Sequence, residues 1–284
     1  MSVIQEERLT VHGQKLQVLR GGSGPTLLLL HADGDSAVDW QWVLEPLARD
    51  YSVLAPSLPG HGDSEQPSEY HPQFFVDVMR GLLDSVGVER LAAVGNSFGG
   101  LLAARMAFQE PDRVRALCLV GSAGLGHEVN PLVVGEAWPV AGEWLKLVGW
   151  LPPLARQRAR IRQLLIFADP SRTPDAWLQE QRRLPQRPGY LQTTVSARRH
   201  VLGLFGQRDL ILDELAALRV PVLVLWGDQD RVVPRSHAQA ALARLADARL
   251  SIIAESGHLP QVEQPARFLD ALLPFLAEHA QDMP

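Results

Sequence analysis

The segment Val94-Gly95-Asn96-Ser97-Phe98-Gly99-Gly100 stands between an apolar run, Leu91–Val94, and a helix-forming stretch, Phe98–Phe108. A strand that turns directly into a helix at a serine flanked by glycines leaves few folds open. The turn is so tight that Cβ atoms at positions 95 and 99 would collide, and glycine removes them. It lifts the Ser97 hydroxyl above the carboxyl end of the strand, at a helix N-terminus whose free amides favour developing negative charge. A serine that merely caps the helix is the plainer alternative.

The flanking segments set the topology. Leu9–Val11 and Leu16–Leu19 surround the turn signal His12-Gly13 and predict an antiparallel hairpin. Thr26–Leu30 is a nearly continuous apolar run, the pattern of a strand buried on both faces. Val38–Leu47 is expected as a helix, Ser52–Ala55 as a strand, Phe74–Val86 as a helix and Val114–Val120 as a strand. Repeated strand–helix–strand units imply an α/β fold, a mainly parallel sheet with helices on both faces. The rhythm breaks near residue 122. From there to 210 no strand stands out and Trp, Arg and Pro are abundant, which predicts a helical insertion with amphipathic pieces such as Ala155–Phe167. The alternation resumes with strand Val220–Trp226, helix His237–Ala246, strand Leu250–Ile253 and helix Ala266–His279. Residues 1–121 and 211–284 are therefore expected to form one core domain interrupted by residues 122–210.

Arginine supplies 25 of the 27 basic residues, and ten of these fall in 151–200 against Asp169, Asp175 and Glu180. Most are expected on a solvated helical face, because Arg156, Arg158, Arg160 and Arg162 alternate and cannot all turn to one pocket. The net charge of −5 argues against a general nucleic-acid or anionic-membrane surface. No signal-peptide pattern opens the chain and no apolar run is long enough to span a bilayer, so a soluble, cytoplasmic protein without a membrane partner is expected. The single cysteine, Cys118, lies in an apolar run and is expected to pack in the core. No compact ligand spacing is visible and Gly21–Gly24 precedes a strand, so neither metal nor cofactor is expected.

A serine hydroxyl needs a base to act as a nucleophile at neutral pH. Of the nine histidines, His258 follows the expected last strand in Ser256-Gly257-His258-Leu259-Pro260, where a strand-end loop can reach back over the sheet to Ser97. The base needs a carboxylate to fix its tautomer, and Gly227-Asp228-Gln229-Asp230 offers two after the strand Pro221–Leu225. Asp230 is the choice. Asp228 is expected to hydrogen-bond within the turn.

In these blocks, and in Leu30-His31-Ala32-Asp33 and Pro59-Gly60-His61-Gly62-Asp63-Ser64, the chain resembles the α/β-hydrolase superfamily from Leu27 to about Leu276. The resemblance implies an eight-stranded sheet and a catalytic triad of Ser97, Asp230 and His258. It also implies an oxyanion hole from the backbone amides of Asp33 and Phe98, and a helical cap, residues 122–210, over the site. His31, Asp33, Trp138 and Leu259 are candidates to line the substrate pocket, with packing inside the insertion as the alternative for Trp138. His61 is expected to be a scaffold residue and Trp40 to pack under the oxyanion loop. Two residues depart from the family pattern. Ala32 replaces the usual glycine, and Asp33 places a carboxylate beside a hole meant for an oxyanion. The Asp33 side chain is expected to turn away, capping a turn or pairing with an arginine. Alternatively it lines the pocket, binding a cationic or hydroxylated substrate or positioning water.

A serine at the elbow sets aside the haloalkane dehalogenase and epoxide hydrolase chemistries, whose enzymes carry aspartate there. The resemblance then implies hydrolysis of a carboxylic ester of a small to medium-sized substrate through an acyl-enzyme on Ser97. Carbon–carbon bond hydrolysis of the meta-cleavage kind is the alternative. Gly95–Gly100, Ser122–Gly126, and Gly257-His258 with Gln261 and Glu263 look like that group. Its glycine-rich Ser-Gly-Pro oxyanion loop is missing after His31, however, and Leu259 stands where it often carries an aromatic or other distinctive residue. Perhydrolysis and acyl transfer start from the same acyl-enzyme, and a non-catalytic ligand-binding homologue is the alternative of another class. The expected partner is a small-molecule ester or ketone, and the oligomeric state stays open.

Overall fold

Successive leucines of Thr26–Leu30 point to opposite sides of one sheet, Leu27 and Leu29 into one apolar cluster and Leu28 and Leu30 into another. A strand covered on both faces has no polar side to show, so the run is continuously apolar. A computed structural model describes residues 4–280. Its strands are β1 (Gln5–Val11), β2 (Gln14–Gly21), β3 (Thr26–Leu30), β4 (Ser52–Pro56), β5 (Leu91–Asn96), β6 (Val114–Val120), β7 (Val222–Gly227) and β8 (Ala248–Ile253). They form one eight-stranded sheet in the order β1-β2-β4-β3-β5-β6-β7-β8. Only β2 runs against its neighbours, β1 and β4; every other pairing is parallel. The α/β architecture expected from the alternation is the one observed. At the β1–β2 turn His12 and Gly13 both have positive φ, +49° and +81°, the geometry that matches the twist of a two-residue hairpin.

The helices in chain order are α1 (Gln41–Leu47), α2 (Pro72–Ser85), α3 (Phe98–Gln109), α4 (Pro131–Ala137), α5 (Pro139–Val148), α6 (Pro152–Ile166), α7 (Asp175–Arg183), α8 (Tyr190–Val201), α9 (Ser236–Leu242), α10 (Pro260–Glu263) and α11 (Pro265–His279). Val43 of α1 and Phe268 of α11 pack on one face of the sheet, with Cys118 in the same cluster. Phe75 of α2, Leu101 of α3 and Ala238 of α9 pack on the other. Helices α4 to α8 all lie between β6 and β7 in sequence, the stretch where the strand rhythm lapses.

Some element ends differ from expectation. The helix expected from Val38 opens with a 3-10 turn, Ala37–Trp40, because Ser36 caps the Val38 amide with its hydroxyl. The strand expected from Val220 starts at Val222, since Pro221 has no N–H for the ladder and offers only its carbonyl, to Leu117. Helix α9 stops at Leu242, beyond which the Arg244 and Leu245 amides share the Ala241 carbonyl in a looser turn.

Two glycines hold the sheet and α3 at contact distance. A Cβ on Gly95 would stand 2.2 Å from the Gly99 carbonyl oxygen, and one on Gly99 would stand 2.2 Å from the Leu30 carbonyl oxygen. Both obstacles are backbone, so neither can swing aside. Gly99→Ala is expected to abolish soluble folded protein, measured by yield and a circular-dichroism melt. Gly135→Ala in α4, where a Cβ meets nothing within 4 Å, should instead melt at or above the parent temperature.

Candidate active site

Where β5 meets α3, Ser97 sits at φ +52° and ψ −114°, a conformation that L-residues rarely adopt. The neighbouring chain fixes it: its amide donates to the Val120 carbonyl, and its carbonyl accepts from the Gly100, Leu101 and Ala123 amides. Among the described residues, no protein acceptor takes the Phe98 amide at the start of α3 or the Asp33 amide beyond β3.

His258 and Asp230 come together after β8 and β7. The His258 Nδ1–H donates to Asp230 Oδ2 at 2.7 Å, while Asp230 Oδ1 accepts from the Val232 and Val233 amides at 2.8 and 3.0 Å. The carboxylate is fully buried and hydrogen-bonded on both oxygens. Asp228 accepts the Ser256 amide across the two loops rather than hydrogen-bonding within its own turn. Ser97 and His258 line the same cavity without a direct hydrogen bond between them.

Three further groups hold the His258 loop. Asn96, inside the elbow motif, donates through Nδ2 to the carbonyls of both Val120 and His258. The His258 amide donates to the Ile166 carbonyl at the end of α6, at 2.7 Å. Glu263 accepts three amides, those of Gly257, Ala168 and Asp169, and so joins the loop to the chain leaving α6. Glu263 was visible in sequence only as part of a motif; its task depends on what folds against it.

The cavity is about 710 Å³ and touches Ser97, His258, Asp33, Phe98 and Trp138. His31 and Leu259 do not line it, contrary to expectation. The His31 ring is fully buried, its Nδ1–H donating to the Ala32 carbonyl and its Nε2 accepting from the Leu58 amide, so it braces the loop beyond β3 from behind. Leu259 turns into the core at the start of α10. His61 is also buried behind the site, between the Pro59 carbonyl and Asp33 Oδ1. Trp40 is buried against Phe268. Among the described residues no three His, Cys, Asp or Glu side chains gather as metal ligands.

Most of the arginines in 151–200 are exposed or half-buried, as expected, and three are not. Arg156 and Arg160 are exposed, but Arg158 and Arg162 are buried, as is Arg198 of α8. Spacing of i and i+4 brings one pair of the alternating set to the inner side. Asp33 does both things foreseen for it, lining the cavity and pairing with an arginine, Arg198, as well as with His61. Burial alone would raise the Asp33 carboxyl, but Arg198 and His61 outweigh it and hold the group well below the usual carboxylate range. Arg198 also meets Glu136 of α4, which Arg158 bonds too. Arginine charge overcomes burial at Glu136 and pulls its carboxyl down to about 2. The next residues follow suit. The Gly34 carbonyl accepts from the Tyr190 hydroxyl at 2.7 Å, Asp35 accepts from Arg162 and Gln181, and the Ser36 hydroxyl donates to Glu180.

The chain matches the model of the alpha/beta hydrolase fold over residues 25–265. The chain belongs to the alpha/beta hydrolase fold family. It is 32% identical over 268 residues to a 2-hydroxymuconate semialdehyde hydrolase of Pseudomonas sp. strain CF600, covering 90% of this chain and 88% of the relative. The structure of a 2-hydroxy-6-oxo-6-phenylhexa-2,4-dienoate hydrolase from Rhodococcus sp. strain RHA1 superposes with a TM-score of 0.81 at 25% identity, covering 98% of this chain and 99% of that one. A structure described as a membrane phospholipase A gives 0.78 at 27%, over 97% and 86%. With these relatives the chain is a hydrolase.

In this hydrolase the Asp33–Arg198 pair joins two elements far apart in sequence, and breaking a buried pair from one side typically costs about 3–5 kcal/mol. Arg198→Met is expected to lose stability on that scale, and Asp33→Asn added to it should restore at least ~1 kcal/mol. Urea unfolding of the four proteins reads the coupling, and strictly additive costs would contradict it. Burial, with His61 beside it, lowers the His31 ring to about 3 from 6.5. The unfolded chain therefore takes up a proton that the folded one refuses, and stability falls as the pH drops below about 6.5, by up to ~1.4 kcal/mol per unit. Unfolding free energies at about pH 7 and pH 5 test this, and equal values would sink it.

Proposed function

We propose that this hydrolase cleaves carboxylic esters through an acyl-enzyme on Ser97. Ser97 Oγ attacks the ester carbonyl carbon as His258 Nε2 accepts its proton, and Asp230 steadies the charged ring. The carbonyl oxygen becomes an oxyanion held by the Asp33 and Phe98 amides. Collapse breaks the bond to the leaving oxygen, which takes the proton from His258. Water then repeats the sequence on the acyl group and frees Ser97. Residues 122–210 act as the lid that excludes bulk water and shapes the pocket.

The observation that carries the ester reading is the charge balance of the cavity. Its walls are mainly apolar, and its charged groups are three arginines, Arg158, Arg162 and Arg198, facing three carboxylates, Asp33, Asp35 and Glu136. No surplus cation is left for an acidic substrate, while an acyl chain suits the apolar walls. The neighbour named a phospholipase A falls on the same side. Carbon–carbon bond hydrolysis is the second reading. The two named relatives favour it, and so do the Nε and Nη1 atoms of Arg158, which are buried without a partner and would donate to a substrate carboxylate.

A panel of p-nitrophenyl esters of increasing chain length, run beside a vinylogous 1,5-diketone, separates the two. Ester turnover rising with chain length and no diketone cleavage is expected, with Ser97→Ala lowering kcat by ~10⁴-fold or more. Diketone cleavage without ester turnover would overturn the ester reading.

A further inference from the structure

Helices α5 and α6 are built inside out. The only buried residue of α5 is Gly142, while Val140, Trp144 and Leu147 on one stripe are 72%, 60% and 67% exposed. In α6 the inward positions include Arg158, Arg162 and Gln163, and the outward ones Leu154, Ile161 and Leu164. Trp150, between the two helices, is half exposed. Exposed apolar groups scattered singly need no explanation, but these are gathered. Leu132, Trp138, Trp144, Leu154 and Ile161 are both exposed and part of the cavity lining, so the apolar surface continues into the cavity that holds Ser97.

The charge on this surface identifies its occupant. Residues 131–164 carry five cations against Glu136 and Glu143, in a chain whose net charge is −5; of the five, Arg158 and Arg162 are buried in ion pairs and Lys146 is bridged, which leaves Arg156 and Arg160 as the free surface charge. Both glutamates are already bridged, Glu136 to Arg158 and Arg198 and Glu143 to Lys146 and Arg199. Arg156 and Arg160 are exposed and form no ion pair among the described residues. Tryptophan and leucine beside uncompensated arginine is the composition of a helix lying at a lipid surface with anionic headgroups. We propose that α4–α6 dock on an anionic lipid bilayer and that the cavity takes a long-chain acyl ester directly from it. This substrate assignment rests on the ester reading above, whereas the docking surface does not. The expectation of no membrane partner rested on total charge and on the length of apolar runs. Neither measures a patch assembled from three helices.

Ser97→Ala protein, which cannot turn over lipid, is sedimented with vesicles of equal parts phosphatidylglycerol and phosphatidylcholine and with pure phosphatidylcholine. Binding to the mixed vesicles is expected to exceed binding to the neutral ones. Val140→Glu with Leu147→Glu, at positions that do not line the cavity, should weaken it at least about tenfold. The same two changes in the active protein should leave hydrolysis of a short, soluble ester unaltered and its melting temperature intact. No binding to either vesicle, in protein that still hydrolyses soluble esters, would overturn the surface and spare the ester reading. Binding in a protein without ester turnover would do the reverse. If sedimentation velocity finds a dimer that Val140→Glu with Leu147→Glu dissolves, the face belongs to a second copy and the lipid assignment falls.

Discussion

Residues 33–36 leave the sheet beyond β3 and are taken up in turn by side chains of the helical insertion. Arg198 holds the Asp33 carboxylate, Tyr190 the Gly34 carbonyl, Arg162 and Gln181 the Asp35 carboxylate, and Glu180 the Ser36 hydroxyl. A loop this deep cannot keep its polar groups in water, and two buried carboxylates cannot stay charged without cations. The insertion is therefore required by the loop as much as it covers it. Three helices, α6, α7 and α8, each send at least one side chain to four consecutive residues.

That requirement propagates outward. To bring Arg162 to Asp35 and Arg158 to Glu136, α6 must turn its arginine stripe inward, and its leucines are then left outside. The apolar rim of the cavity is in this sense a consequence of the ionic interior. His258 is bound into the same arrangement, since its amide donates to the last residue of α6 and Glu263 ties its loop to the residues that follow. A shift of α6 would disturb the loop that carries Asp33 and the loop that carries His258 together.

Much of this was legible beforehand, for identifiable reasons. The leucines of β3, the His12-Gly13 turn and the glycines of the elbow are local signals, each decided within a few residues by strand period or by the room for a Cβ. The Asp230–His258 pairing followed from strand ends, because parallel strands bring their carboxyl-end loops to one side. His31 and Leu259 were misjudged, since adjacency in sequence to a site residue does not say which way a side chain turns. The His31 ring found two backbone partners behind the loop, and Leu259 found the core.

The sequence by itself determined the sheet, the strand-to-helix turn at Ser97 and the chain order of serine, aspartate and histidine. These rest on short-range sterics and on the alternation of apolar residues. Only the tertiary structure decided which side of α6 faces inward. The helix carries arginine and leucine on neighbouring stripes, and hydrophobic pattern alone would bury the leucines. Asp35, well over a hundred residues earlier in the chain, and Glu136 of α4 reverse that choice. An unpaired buried carboxylate costs more than a few exposed leucines, and that balance cannot be read until both partners are in place.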